Sequence, residues 1–161
     1  MIVVDAANVV GSRPDGWWRD RPGAARRLVA RIRAAVAAGQ VLGPVVVVLE
    51  GAGRRGAPEG LEHGVEVVHA PTGGDDELVA QVAAAATGAA AAVTLVTADR
   101  GLRGRVGFVG VEAVGPTWLL DRLDAAGHQG GEPGGDQVAD GTQPGEGWPA
   151  VRLDARGPAH H

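Results

Sequence analysis

The chain has 161 residues, 45% of them hydrophobic and 21% charged, with a formal charge of −4 at pH 7; this suits one compact domain and a tail better than two domains. All 15 basic residues are arginine and there is no cysteine, which excludes a globally basic nucleic-acid binder of the histone kind, a disulfide framework, a thiolate metal site and a cysteine nucleophile. No basic stretch precedes Ile2-Val3-Val4, and no apolar run approaches the ~18 residues of a membrane span, so a soluble cytoplasmic protein with no membrane partner is expected.

In chain order, the apolar run Ile2 to Val4 predicts a strand ending at Asp5. A Gly- and Pro-containing segment with Trp17-Trp18-Arg19 leads to a helix over 22–38, with Leu28, Val29, Ile32 and Val36 on one stripe, Pro22 at its start and Gly39 just past its end. A strand over 45–49 ends at Glu50. Residues 51–64, with Pro58 and several glycines, are poor helix material and read as a loop before a strand over 65–68. Thr72-Gly73-Gly74 opens a helix over 75–87, whose inward positions are Leu78, Val79 and Val82 and whose leading acids suit the helix dipole. A strand over 93–96 runs into Thr97-Ala98-Asp99; a short helix, a strand over 111–114 and a helix over 117–123 close the pattern. Continuous β-branched runs alternating with helices predict an α/β doubly wound three-layer sandwich with a mostly parallel central sheet of about five strands. From residue 125 to 161 the chain is Gly-, Pro- and polar-rich with no apolar period, as in a disordered tail. The domain, residues 1–124, holds 13 Arg against 14 acids; the tail holds 2 Arg against 5 acids. Most of the negative charge therefore lies outside the expected fold.

Ligands of open parallel sheets bind beyond the carboxyl ends of the strands. Asp5, Glu50, the Asp75-Asp76-Glu77 group and Asp99 reach that edge from four separate elements. Any one of them taken singly is explained as a turn or cap residue. Together they form a like-charge cluster that is costly without a cation. Hard oxygen donors without Cys or clustered His select Mg²⁺ or Mn²⁺.

The series Asp5-Ala-Ala-Asn8, then Gly-Gly-Asp75-Asp76-Glu77-Leu-Val at a helix start, then Thr97-Ala-Asp99-Arg-Gly resembles the motif order of PIN-like nucleases, and the opening DxxN resembles their NYN branch. The resemblance spans residues 2 to about 124. It implies a PIN-like fold and a metal-dependent ribonuclease that attacks a phosphodiester with an activated water, leaving a 5′-phosphate and a 3′-hydroxyl. Carried over by position, Asp5, Asp76 and Asp99 match the metal ligands, and Asn8 and Thr97 the polar residues that support them. Asp75 and Glu50 complete the ligand candidates. The register between Asp75 and Asp76 stays open, with Asp76 placed first because Glu77-Leu78-Val79 begins the apolar stripe.

An RNA strand, single-stranded in this reading, would need cations beside the acids. Arg100, Arg103 and Arg13 are the candidates for phosphate contact, and Trp17 and Trp18 for stacking on unpaired bases; packing is the ordinary alternative for the tryptophans. Gly51-Ala-Gly53-Arg-Arg-Gly56 matches GxGxxG after a strand, but Pro58 follows where a helix must begin, so no dinucleotide cofactor is expected. Two further readings use the same acids: a phosphohydrolase of free nucleotides, and a non-catalytic RNA- or partner-binding domain. A homodimer is compatible with all three.

Overall fold

The computed structural model describes residues 1–87, 92–107 and 110–129. Its six-stranded sheet has the order β3-β4-β2-β1-β5-β6, where β1 is Ile2–Asp5, β2 Val45–Leu49, β3 Gly60–Glu62, β4 Val65–His69, β5 Val93–Val96 and β6 Val111–Val114. All neighbours pair in parallel except β3, which runs antiparallel to β4. The helices are α1 (Ala6–Gly11), α2 (Arg21–Ala37), α3 (Gly74–Thr87), α4 (Arg100–Arg105) and α5 (Pro116–Gln129), with 3₁₀ turns η1 (Trp17–Arg19) and η2 (Gly51–Gly56). Among the described residues no helix is long and apolar enough to cross a membrane.

Side-chain alternation along the strands divides the core in two. Ile2, Val4, Val45, Val47 and Leu49 pack with α1, α2 and α5, including Leu28, Ile32 and Leu119. Val3, Val46, Val48 and Leu95 pack with α3 and α4, including Leu78, Val82 and Leu102. Both faces of the central strands are covered, which is why these strands read as unbroken valine runs rather than alternating ones.

Three details of the fold differ from the expected pattern. The sheet has six strands because part of the expected loop at 51–64 forms a hairpin: His63 (φ 52°) and Gly64 (φ 76°) make a two-residue connection with both residues left-handed, the geometry that matches strand twist. Histidine is not the usual residue for the first of these positions, so the turn left little trace in the sequence. α1 is a further addition. Its six residues are too few to show a period, and its start is set by Asp5, whose Oδ1 accepts from the Asn8 amide. The last helix continues through Gln129, so the expected domain boundary at 124 falls inside it; residues 130–161, the rest of the expected tail, lie outside the described residues. As expected, residues 51–64 form no full helix and the sheet is mostly parallel: only β3 is antiparallel, and the parallel β2-to-β4 crossover is carried by η2 and the hairpin.

That crossover depends on Gly56. It is buried, and a Cβ there would stand 2.4 Å from the Pro22 carbonyl oxygen, 2.8 Å from Ala25 Cβ and 2.9 Å from the Arg26 nitrogen. Gly56 therefore serves the close approach of η2 to α2. At Gly53 a Cβ would meet only Ala25 Cβ, at 3.7 Å, an ordinary contact. Gly56→Ala is expected to cost about 1–3 kcal/mol, as overpacking does, and Gly53→Ala less than 1 kcal/mol; urea unfolding midpoints of the two variants measure the difference.

Candidate active site

The strand order reverses between β1 and β5: the chain leaves β1 toward α1 and α2 on one face, and leaves β5 toward α4 on the other. This switch point is where open α/β sheets form a ligand crevice. Here it is an open cleft of about 510 Å³ lined by Asp5, Asn8, Glu50, Asp75 and Asp99, with Val48 and Leu78 among its apolar walls.

Asp5 is only 8% exposed. Its Oδ1 accepts from the Asn8 amide at 3.0 Å and its Oδ2 from the Thr97 hydroxyl at 2.9 Å. The Thr97 oxygen in turn accepts from the Asp99 amide at 3.1 Å, and Asn8 Oδ1 accepts from the Ala98 amide at 2.9 Å. Thus β1–α1 and β5–α4 are stitched together by side chains where the sheet hydrogen bonds end. Asp99 caps α4 through Oδ1, which accepts from the Leu102 amide at 2.9 Å. Glu50 accepts from the Gly74 amide at 2.8 Å through Oε2, tying the end of β2 to the start of α3. A Cβ on Gly74 would lie 2.5 Å from that oxygen, so glycine is what lets the carboxylate sit there. The second oxygens of Asp99 and Glu50 have no partner among the described residues.

Burial pushes the Asp5 carboxyl above the ordinary carboxylate range. The hydrogen bonds from Asn8 and Thr97 pull the other way, and the negative charges of Glu50 and Asp75 add to the rise. The arrangement holds a buried carboxylate against its own desolvation and against two like charges.

Five of the expected site residues, Asp5, Asn8, Glu50, Asp75 and Asp99, line the cleft, and Thr97 supports two of them from below. Asp76 does not. One position along α3 from Asp75, it turns outward, where Arg105 Nη2 donates to its Oδ1 at 2.6 Å; Asp75 is the acid of that turn that faces the cleft, with Arg105 Nη1 at 4.0 Å. The placement of Asp76 first is corrected accordingly, because successive helix positions are ~100° apart. Arg103 is also corrected. Its Nε and Nη2 donate to the Thr97 carbonyl at 3.1 and 2.7 Å, which makes it a clasp on the β5 end. Arg13 turns to α5, donating to Asp124 Oδ2 at 2.8 Å, and lines a separate recess with Arg31 and Leu120. That bond, joined by Arg31, holds the Asp124 carboxyl below its usual range. Arg100 is exposed and makes no hydrogen bond or ion pair among the described residues. Trp17 lines a recess next to the cleft, whereas Trp18 is 54% exposed, edge-on to Trp17 at 6.3 Å. Sequence reasoning passed over Arg21, whose guanidinium lies 5.3 Å from the Trp17 ring centre; the four-residue spacing into a helix start was its only signal.

Among the described residues, no three acid or histidine side chains stand close enough together to form a ready-made metal centre. The donors still fit a hydrated hard cation. Mg²⁺ commonly keeps several waters and is held by one or two carboxylates, and the cleft has room for an ion with its waters beside the unpartnered oxygens of Glu50 and Asp99.

Two crystal structures of Rae1 (YacP) from Bacillus subtilis, one of them a point mutant, superpose on this chain with a TM-score of 0.60. The mutant is 18% identical over 80% of this chain and 77% of its own; the other is 19% identical over 80% and 76%. The fold is PIN-like. No protein-family model matches the chain, and no curated protein matches it. The likeness is one of architecture.

Two predictions follow from this geometry. Because the folded pKa of Asp5 is raised, folding favours its protonated form, and that contribution is full at low pH and lost as the pH climbs through the folded value. Asp5→Asn, measured by urea unfolding in EDTA, should therefore gain stability relative to the parent between pH 4 and pH 7; a gap independent of pH would contradict the raised value. Arg103→Ala should cost about 1.5–3 kcal/mol, the range for hydrogen bonds to charged groups, whereas Arg100→Ala should leave the unfolding midpoint unchanged.

Proposed function

We propose that the chain is a metal-dependent ribonuclease whose reaction takes place in the acid-lined cleft. The observation that carries this reading is the convergence of Asp5, Glu50, Asp75 and Asp99 from four elements on the switch point of a PIN-like sheet, in the motif order that resembles PIN-like nucleases of the NYN branch. The substrate is RNA, single-stranded where it enters the cleft, and the cofactor is Mg²⁺ or Mn²⁺.

Asp99 and Glu50 would hold the ion through their unpartnered oxygens, with Asp75 and Asp5 beside its waters. When bound, it would supply charge neutralisation for the phosphodiester and acidity for a coordinated water. Both oxygens of Asp5 are engaged, so its carboxyl is held in one orientation at the cleft floor. Asn8 and Thr97 do not touch the substrate in this reading; they orient Asp5 and the Asp99 backbone. Arg100, uncommitted and next to Asp99, is the cation placed to meet a phosphate of the strand. The reading requires no side chain as a nucleophile.

Cleavage of a labelled single-stranded RNA with Mg²⁺ or Mn²⁺ tests this. Asp5→Asn, Asp75→Asn and Asp99→Asn should each lower kcat by 100-fold or more, EDTA should abolish cleavage, and Asp76→Asn should leave it within about threefold. Full activity of folded Asp99→Asn would overturn the reading. Release of phosphate or pyrophosphate from free nucleotides, with the RNA left intact, would replace it with a nucleotide phosphohydrolase.

A further inference from the structure

Behind the cleft lies a second recess, of about 130 Å³, whose lining includes Val10, Trp17, Arg21, Leu49 and the Gly51-Ala52-Gly53 turn. It shares Ala7 and Glu50 with the acid cleft. The arrangement follows from strand alternation: Val48 points to the α3 face and is part of the cleft wall, Leu49 points to the α2 face and is part of the recess wall, and Glu50 stands on the ridge between them. Any chain molecule lying across that ridge meets both.

The chemistry of the recess is selective. Its walls are aliphatic and aromatic, and the charged groups at it are Arg21, stacked over the indole, and Glu50. Gly51 and Gly53 contribute no side chain to its lining, and Ala52 only a methyl group. The volume is of the order of the ~150 Å³ cavity that admits a benzene-sized ring. On the far side of Gly51 and Ala52 the surface continues into an open patch with Arg54, Arg55 and His69. Acid cleft, ring-sized apolar recess and basic patch thus follow one another along the edge of the sheet, in the sequence that one nucleotide unit and the next phosphate would require.

We propose that this recess is a nucleobase subsite. It takes the unpaired base adjacent to the phosphodiester in the cleft, against Trp17 and the Arg21 guanidinium, while Arg55 faces the following phosphate and Arg54, which donates to the Gly51 and Ala70 carbonyls, holds the turn. This rests on the ribonuclease reading and adds to it a specific requirement for a base at one position. It assigns to Trp17 and Arg21 a role that Trp18, which lines neither cavity, does not share.

The test is cleavage of a set of single-stranded RNA decamers in which one abasic residue is moved through the sequence. With the parent protein, kcat/KM should fall by roughly 5- to 150-fold, the span of one base–aromatic stack, at a single abasic position next to the cut. Trp17→Ala should lose a similar factor on the intact strand and show no further loss at that position. Ala52→Leu, which fills the recess from the opposite wall and leaves Trp17 in place, should behave the same way, and decides the matter should Trp17→Ala fail to fold. Trp18→Ala should retain the full abasic penalty. Cleavage with losses that simply add, or with no sensitive position, overturns the subsite and leaves the ribonuclease reading standing. No cleavage of any strand by the parent protein overturns both.

Discussion

A single buried carboxylate organises this molecule. Asp5 ends the central strand, caps α1 through the Asn8 amide and receives the hydroxyl of Thr97, the residue just after β5. It therefore joins the two halves of the sheet where their backbone pairing stops. A buried charge of this kind is tolerated only when hydrogen bonds replace the water it has lost. Here they do so in part: the carboxyl is still held above its ordinary range by burial and by the neighbouring acids. What remains uncompensated is negative charge facing an open cleft. The proposed chemistry places a cation against that charge.

The second constraint is the way η2 meets α2. Gly56 lets the turn after β2 lie against Pro22, Ala25 and Arg26, and this contact keeps Glu50 at the sheet edge and the Gly51–Gly53 turn beside Trp17. Glu50 is consequently fixed from two directions, by the turn that follows it and by the Gly74 amide. The acid cleft and the aromatic recess on either side of it share a wall for that reason. In a glycine pattern that resembles a phosphate-binding signature, the last glycine, Gly56, has its explanation in the packing of a crossover that holds no full helix.

Much of the site was legible because strand ends are legible. Valine runs stopping at Asp5, Glu50 and Thr97-Ala-Asp99 place those residues at one edge once the sheet is parallel, and Asn8 and Thr97 are near enough in the chain to follow. The failures have a common cause. Asp75 and Asp76 differ by one helical step, and only the docking of α3 on Val46 and Val48 decides which faces inward. Arg103 and Arg13 sit at the expected edge by position, but long side chains go where an acceptor lies, to the Thr97 carbonyl in one case and to Asp124 on α5 in the other. Those acceptors are brought near by the fold. The hairpin at His63-Gly64 was missed because its first residue adopts a left-handed conformation that histidine seldom takes.

By itself the amino-acid sequence determined the class of the protein: a parallel α/β core from continuous β-branched runs, a lack of thiol chemistry, and an oxygen-rich acidic edge. Each of these depends on composition or on local period, which act over a few residues. The tertiary structure alone decided which acids share the cleft, which arginines are already engaged, and that a ring-sized recess adjoins the acids across Glu50. These are matters of side-chain direction and of contacts between residues up to 90 or more positions apart, as between Thr97 and Asp5 or Ala98 and Asn8. No local signal encodes them.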